Sequence, residues 1–267
     1  MTGSRRLAPP RRLLAACCLG LAVLLGGCAG TAGRDIVTAS DETDAQKRAR
    51  IRLELASGYF ARGQLETALD EVKQAIQADP NRAEAYSLRG LIYAALGDER
   101  FADESFRRAL QLNPRDGNAA HNHAWFLCQR GRFAEAMTQF DAALAAPLYR
   151  DASKTLLAKG VCQARAGELA EAEKTLVRGY ELDPGNPATG VNLALVLLRR
   201  GEAERARFYV RRVNSVPEYV TAETLWLAAR IEHRLGNRVG AEEFGSQLRR
   251  RFPQSAQAAA YDKGLFE

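Results

Sequence analysis

The sequence predicts an all-α fold, a right-handed superhelical array of six helix-turn-helix repeats. The first observation is a period. Asp79-Pro80 and Asn113-Pro114 stand 34 residues apart, Asp183-Pro184 continues the series with a small slip, and Phe252-Pro253 ends it. The second is a recurring set ahead of the prolines: a Gly about 17 residues back, an Ala 12 back, a bulky residue 8 back and usually an Ala 5 back, the last two differing ahead of Pro253. These are Gly63, Ala68, Val72 and Ala75 in one copy and Gly97, Ala102, Phe106 and Ala109 in the next. The third is composition. Hydrophobic residues at 46% and charged residues at 26% are ordinary for a globular chain, while aromatics at 7% suit helices built on Ala and Leu. These figures exclude a collagen, a wholly disordered chain and a polytopic membrane protein.

The elements follow in chain order. Arg5, Arg6, Arg11 and Arg12 precede an apolar run, Leu13 to Leu25, in a stretch without a single acid. A basic flank and a short apolar core are the pattern of an export signal, and about 13 residues are too few to span a bilayer that needs about 20. The run ends in Leu25-Gly26-Gly27-Cys28, which resembles the lipobox of bacterial lipoproteins. Residues 1–27 are therefore read as a lipoprotein signal peptide and Cys28 as the lipidated residue. Ala29, rather than Asp, follows Cys28. By the usual sorting rule this directs the protein to the periplasmic face of the outer membrane, anchored by several acyl chains. The four leader arginines account for four of the six net positive charges, so the basic pI of 9.2 says little about the mature chain. Residues 28–48 are small, polar and aperiodic beyond the cysteine and read as a flexible tether.

Six repeats fill residues 49–255, with boundaries near 49–82, 83–116, 117–152, 153–186, 187–221 and 222–255. The frame found in the first two copies recurs as Gly131, Ala136, Phe140 and Ala143, then as Gly167, Ala172 and Leu176, then Gly201 and Ala206, then Gly236, Ala241 and Leu248. The pattern resembles the tetratricopeptide repeat. The Gly serves the turn between two antiparallel helices, small residues let helices cross closely, and a proline cannot continue the preceding helix. One helix pair cannot bury its apolar face alone, so copies stack. Longer turns are expected at Ala145-Ala-Pro-Leu-Tyr149 and Ser215-Val-Pro-Glu-Tyr-Val220. Residues 256–267 read as a short polar helix capping the array.

Catalytic patterns do not emerge: there is no Gly-rich phosphate loop, no Ser/His/Asp constellation and no His-Glu-x-x-His. His121 and His123 are two apart on a predicted helix, so they face different ways and cannot chelate one ion together. They and His233 read as ordinary polar or groove residues. The expectation is a protein that is not an enzyme and uses no cofactor and no metal. The clusters Arg199-Arg200, Arg205, Arg207, Arg211-Arg212 and Arg249-Arg250-Arg251 read as solvated helix faces or as a surface for an acidic protein or envelope polymer; a periplasmic address argues against nucleic acid.

Two mature cysteines remain, Cys128 and Cys162, at positions 12 and 10 of the first helices of adjacent repeats. These positions lie on roughly opposite sides of their own helices, so the forward edge of one can meet the rear edge of the next. In an oxidising compartment this predicts a disulfide; the alternative is a pair of free buried cysteines. The first-helix positions that line the concave groove of such arrays hold Leu53, Phe60, Leu91, Trp125, Leu157, Val161, Val191 and Leu195, followed by Leu198 and Trp226. Arg165, Arg199, Arg230 and Arg234 join them towards the C-terminal half. An apolar groove suits an extended or amphipathic hydrophobic segment of another protein. The alternative is that curvature buries these residues against each other.

The segment His121-Asn-His-Ala-Trp-Phe-Leu-Cys128 is similar to an Asn-Asn-Tyr-Gly-x-Phe-Leu-Cys segment at the same repeat of the type IV pilus biogenesis and stability lipoproteins, the PilF/PilW pilotins. His121 for Asn and Ala124 for Gly are departures. Pro147-Leu-Tyr149, Lys159-Gly-Val-Cys162 and Phe244-Gly245-x-x-Leu248-Arg-Arg-Arg-Phe-Pro253 are similar too, and the resemblance covers the whole chain. It implies an outer-membrane protein that binds the pilus secretin and promotes its targeting and multimerisation, with no small-molecule substrate. A second reading from the residues is an outer-membrane adaptor that recruits peptidoglycan enzymes.

Overall fold

The structure, a computed structural model, describes residue 3 and residues 41–266. The signal peptide, Cys28 and most of the expected tether lie outside the described residues. From Asp44 the chain forms one compact unit. It is all-α, with no strand among the described residues.

Its helices pair in sequence. They are α1 (Asp44–Ala61) with α2 (Leu65–Ala78), α3 (Ala83–Leu96) with α4 (Glu99–Leu112), and α5 (Gly117–Gln129) with α6 (Phe133–Ala145). Then come α7 (Ala152–Arg165) with α8 (Leu169–Leu182), α9 (Pro187–Arg199) with α10 (Ala203–Asn214), and α11 (Ala222–Arg234) with α12 (Arg238–Arg251). A last helix, α13 (Ala256–Asp262), packs on both helices of the sixth pair. Each pair is one repeat of the 34-residue period.

Local chemistry sets the helix ends. The turn inside every pair is made by a glycine in the left-handed region; Gly97, at φ 84°, sends its N–H back to the carbonyls of Tyr93 and Ala94. An L side chain is disfavoured there, and for this reason the Gly recurs in the sequence frame. Several starts are capped by short polar side chains. Asp116 accepts from the N–H groups of Asn118 and Ala119, Asn186 from those of Ala188 and Thr189, and Thr221 with Thr224 forms a reciprocal box. Pro80 and Pro114 sit in the turns between repeats, three residues ahead of α3 and α5, rather than at the first position of the next helix.

The small residues of the frame are points of close crossing. Ala68, Ala102, Ala136, Ala172 and Ala206, one in each of the first five second helices, are all fully buried, and Ala241 in the sixth is nearly so. A Cβ on Gly90 would lie 2.7 Å from the Phe106 ring, so Phe106 fills the space that the missing side chain leaves. Apolar clusters run along the stack. One joins the first repeat to the second, one spans repeats two to four, and the largest spans repeats four to six and α13.

Two expectations change in detail. The tether read through residue 48 is helical from Asp44, because Asp44 favours the first turn through the helix dipole and the following Ala, Gln, Lys and Arg are good helix formers. The C-terminal element is not a purely polar cap. Helix α13 is seven residues long, buries Ala258 and Tyr261, and is followed by Gly264 at φ 67°. The chain then returns to α11, where the Phe266 ring stacks on His233 with centroids 4.0 Å apart. Both irregular turns expected between repeats are present. Leu148 lies at φ 61° and is 97% exposed, while Tyr149 packs over Gly117; Pro217–Tyr219 forms a short 3-10 turn.

Candidate functional site: the first-helix face

First helices of neighbouring repeats touch one another directly: α1 with α3, α3 with α5, and so on to α9 with α11. Second helices mainly meet their own partner and the first helix of the next repeat. The first helices therefore form the inner, more closely spaced side of the array.

All eight apolar groove residues lie on these helices: Leu53 and Phe60 on α1, Leu91 on α3, Trp125 on α5, Leu157 and Val161 on α7, and Val191 and Leu195 on α9. Every one is half-buried, neither sealed in the core nor fully in water. Most rest by one side on the core clusters beneath. Curvature has not buried them fully. The result is an apolar strip, firmly seated from below and open from above, which suits reception of another chain's apolar side chains.

The strip rests on polar contacts that the sequence reading treated as incidental. His121 and His123 are buried between repeats rather than in the groove. His121 Nδ1 lies 2.8 Å from Thr155 Oγ1, which is 2.6 Å from the Tyr149 hydroxyl, so the third repeat is tied to the fourth through its irregular turn. Burial, with Lys154 adding to it, pushes the His121 pKa down to about 4, so its imidazole is neutral at neutral pH. His123 faces the other way and donates from Nε2 to Asp103 at 2.7 Å. Burial acts on Asp103 to raise its pKa, but hydrogen bonds from Arg132, His123 and Arg107 outweigh this and bring it to about 2. The two histidines thus do face opposite ways, one towards each neighbouring repeat.

Cys128 and Cys162 are fully buried and joined as a disulfide with Cα atoms 5.8 Å apart, linking α5 to α7. Trp125 of the strip packs against the apolar cluster that contains both cysteines.

The arginine clusters are mostly consumed within the array. Arg200 and Arg205 both pair with Glu173 and Glu202, and Arg249 pairs with Glu242 and Asp262. Arg207 and Arg211 converge at 2.7 Å on Glu232, whose side chain is 1% exposed. Burial would raise the Glu232 pKa, yet hydrogen bonds from Arg207, Asn237 and Arg211 hold it below the usual carboxylate value. The cluster arginines other than Arg207 are exposed, as a solvated helix face requires, and carboxylates such as Glu173 and Glu232, which come from neighbouring helices, add pairings that a linear count does not show.

A feature missed by the sequence reading lies at the C-terminal end of the strip. Leu198, Arg199, Arg230, His233, Arg234 and Phe266 line a cleft of about 470 Å³. The Arg230 Nε donates to the Phe266 carbonyl at 3.2 Å, and Arg199 reaches back to the Ala164 carbonyl at 3.0 Å. The four arginines of the groove were noted in sequence, but nothing local signalled that Phe266 would fold back among them. Among the described residues no group of His, Cys, Asp and Glu is arranged to hold a metal ion, and no helix is long and apolar enough to cross a membrane.

Known proteins share this architecture. Tetratricopeptide-repeat models match residues 57–97, 83–116 and 122–187. The type IV pilus assembly protein PilF of Pseudomonas aeruginosa is 26% identical over 235 residues, which cover 88% of this chain and 92% of that one. Its family partner by structure, PilW, described as a widely conserved type IV pilus biogenesis factor, superposes with a TM-score of 0.74 at 33% identity, covering 79% of this chain and 97% of that chain. The Pseudomonas aeruginosa PilF structure superposes at 0.72 and 23% identity, which shows the shared fold. The chain belongs to the family of tetratricopeptide-repeat proteins that includes the type IV pilus biogenesis factors PilW and PilF.

Proposed function

We propose that this protein is an outer-membrane lipoprotein, a pilotin, that binds the type IV pilus secretin and promotes its outer-membrane targeting and multimerisation. The observation that carries the reading is the half-buried apolar strip running from Leu53 to Leu195 on a scaffold shared with PilW. A rigid strip of this kind binds an apolar segment with little ordering of its own. The lipobox ending at Cys28 supplies the address: lipidated there, the protein carries its client to the inner leaflet of the outer membrane. The protein works by binding and delivery rather than by turnover.

Crosslinking of the lipidated protein in its native envelope, followed by purification, tests the partner. Recovery of the secretin is expected; recovery of peptidoglycan enzymes without secretin overturns the assignment. Cys28→Ala is expected to leave a folded periplasmic protein that fails to place secretin multimers in the outer membrane, read by membrane fractionation. Full channel assembly by that variant would remove the delivery mechanism while leaving the partner intact.

A further inference from the structure

The second helices carry an aromatic site of their own. The C-terminal halves of α8 and α10, with the turns that follow them, enclose a cavity of about 250 Å³ lined by Tyr180, Pro184, Pro187, Tyr209, Arg212 and Tyr219. Its walls are firmly set. Tyr180 and Tyr209 meet edge to face with ring centroids 5.1 Å apart, and both rest half-buried on the core of the last three repeats. The two prolines have φ fixed by their rings. Tyr219 stands exposed at the end of the 3-10 turn. The apolar surface continues past the rim to Leu182 and Phe208, 61% and 59% exposed, with the Phe208 ring 5.1 Å from that of Tyr209. Large apolar side chains gathered in the open around a cavity mark a contact surface.

The chemistry of the lining selects the occupant. With no strand among the described residues, there is no sheet edge for a partner strand to extend. An amphipathic helix presents side chains over several turns and needs a long groove, whereas this cavity holds one or two compact side chains. An extended segment whose backbone needs no pairing meets both constraints. Polyproline II is such a segment: it has no internal backbone hydrogen bonds, and its prolines dock on aromatic-lined surfaces. Arg212 is the one charged residue of the lining; it is exposed, and its guanidinium carbon lies 6.0 Å from the centroid of the Tyr180 ring. This sets a positive charge beside the aromatic floor, which complements a carboxylate next to a bound proline. A sugar chain also stacks on aromatic rings, but its hydroxyls demand many polar partners. Here the Asn186 side chain is already occupied in capping α9 through Ala188 and Thr189.

We propose that this cavity docks an extended, proline-containing segment of a partner protein, with a proline ring received among Tyr180, Tyr209 and Tyr219 and a neighbouring Asp or Glu received by Arg212. The fixed φ of such a segment and the seated rings of the cavity leave little conformational freedom to lose on binding. The site is built from second helices and the turns after them, whereas the strip from Leu53 to Leu195 lies on first helices. The two surfaces are separate, and the docking site does not depend on which client occupies the strip.

The test is a random peptide library displayed on phage, depleted on the Arg212→Gln/Tyr219→Ala variant and then panned on the full lipidated chain in detergent micelles. The expected consensus carries proline with an Asp or Glu close by. A synthetic peptide of that consensus should bind the wild-type protein about tenfold more tightly than it binds Tyr219→Ala, and about tenfold more tightly than its own analogue with alanine for proline. Its analogue with amides for acids should also bind the wild type about tenfold more weakly, and with Arg212→Gln the acidic and amide peptides should bind alike. The analogue peptides are compared on the wild-type protein, so those comparisons do not depend on any variant's stability. Lys174→Gln, which removes an exposed positive charge of α8, should leave affinity within about twofold, and circular dichroism melts should show every variant folded. No enrichment, a consensus without proline, unchanged binding by Tyr219→Ala, a preference for acids that survives Arg212→Gln, or equal competition by a chitin tetrasaccharide would each overturn the proposal. None of these outcomes bears on secretin recovery, so the two readings fail separately.

Discussion

His121 shows how one residue's surroundings reverse its expected role. An exposed imidazole would titrate near 6.5, whereas burial between α5 and α7 holds this one down to about 4. The unfolded chain therefore binds a proton that the folded chain refuses between these values. Stability attributable to His121 is complete above about pH 6.5 and is lost as pH falls towards 4. Urea unfolding across this range should show stability falling with acidification, and His121→Gln should flatten that slope while keeping a polar partner for Thr155. An unchanged slope would show that other groups set it. Asp103 acts lower, since its contribution is held above about pH 4 and declines only towards 2.

At the scale of elements, the link between α5 and α7 is the firmest joint in the stack. It joins residues 34 apart in sequence, and closing a loop of this length contributes about 4 kcal/mol in the chain-entropy account. Cys128→Ala/Cys162→Ala should lower the free energy of urea unfolding by roughly that amount while the far-ultraviolet helical signal persists. The loss should appear equally when the wild-type protein is unfolded under reducing conditions. A change below about 1 kcal/mol would mean that the packing of Phe126, Leu127 and Phe140 alone sets the joint.

The whole molecule behaves as a line of neighbours. Each repeat contacts the next, and core clusters overlap from one end to the other. Stability in such an array is close to a sum of repeat and interface contributions, so damage at one end is felt locally. Deleting residues 254–267 removes α13 and Phe266 and uncovers Phe244, Leu248 and Trp226. Amide exchange should then speed up in α11 and α12 and stay unchanged from α1 to α6. Uniform acceleration would show a single cooperative unit instead.

The repeat frame was legible because it rests on constraints that act within one or two helices. A Gly is needed where φ is positive, an Ala where helices cross, a proline where a helix must stop. Gly63, Ala68 and their later counterparts occupy those roles at fixed spacing, and the apolar strip follows from the same register. The meeting of Cys128 with Cys162 was also within reach, since stacking identical units makes one period a spatial neighbour. Charge was not legible in this way. Whether an arginine is satisfied depends on a carboxylate contributed by another helix, as Glu232 serves Arg207 and Arg211 from 25 and 21 residues away. The buried histidines and the return of Phe266 across 33 residues to His233 are likewise decided by tertiary packing. The sequence by itself determined the array, its period and its apolar inner face, because these arise from short-range sterics repeated six times. Only the tertiary structure decided which charges meet a carboxylate from another helix, because that depends on distances between side chains far apart in the chain.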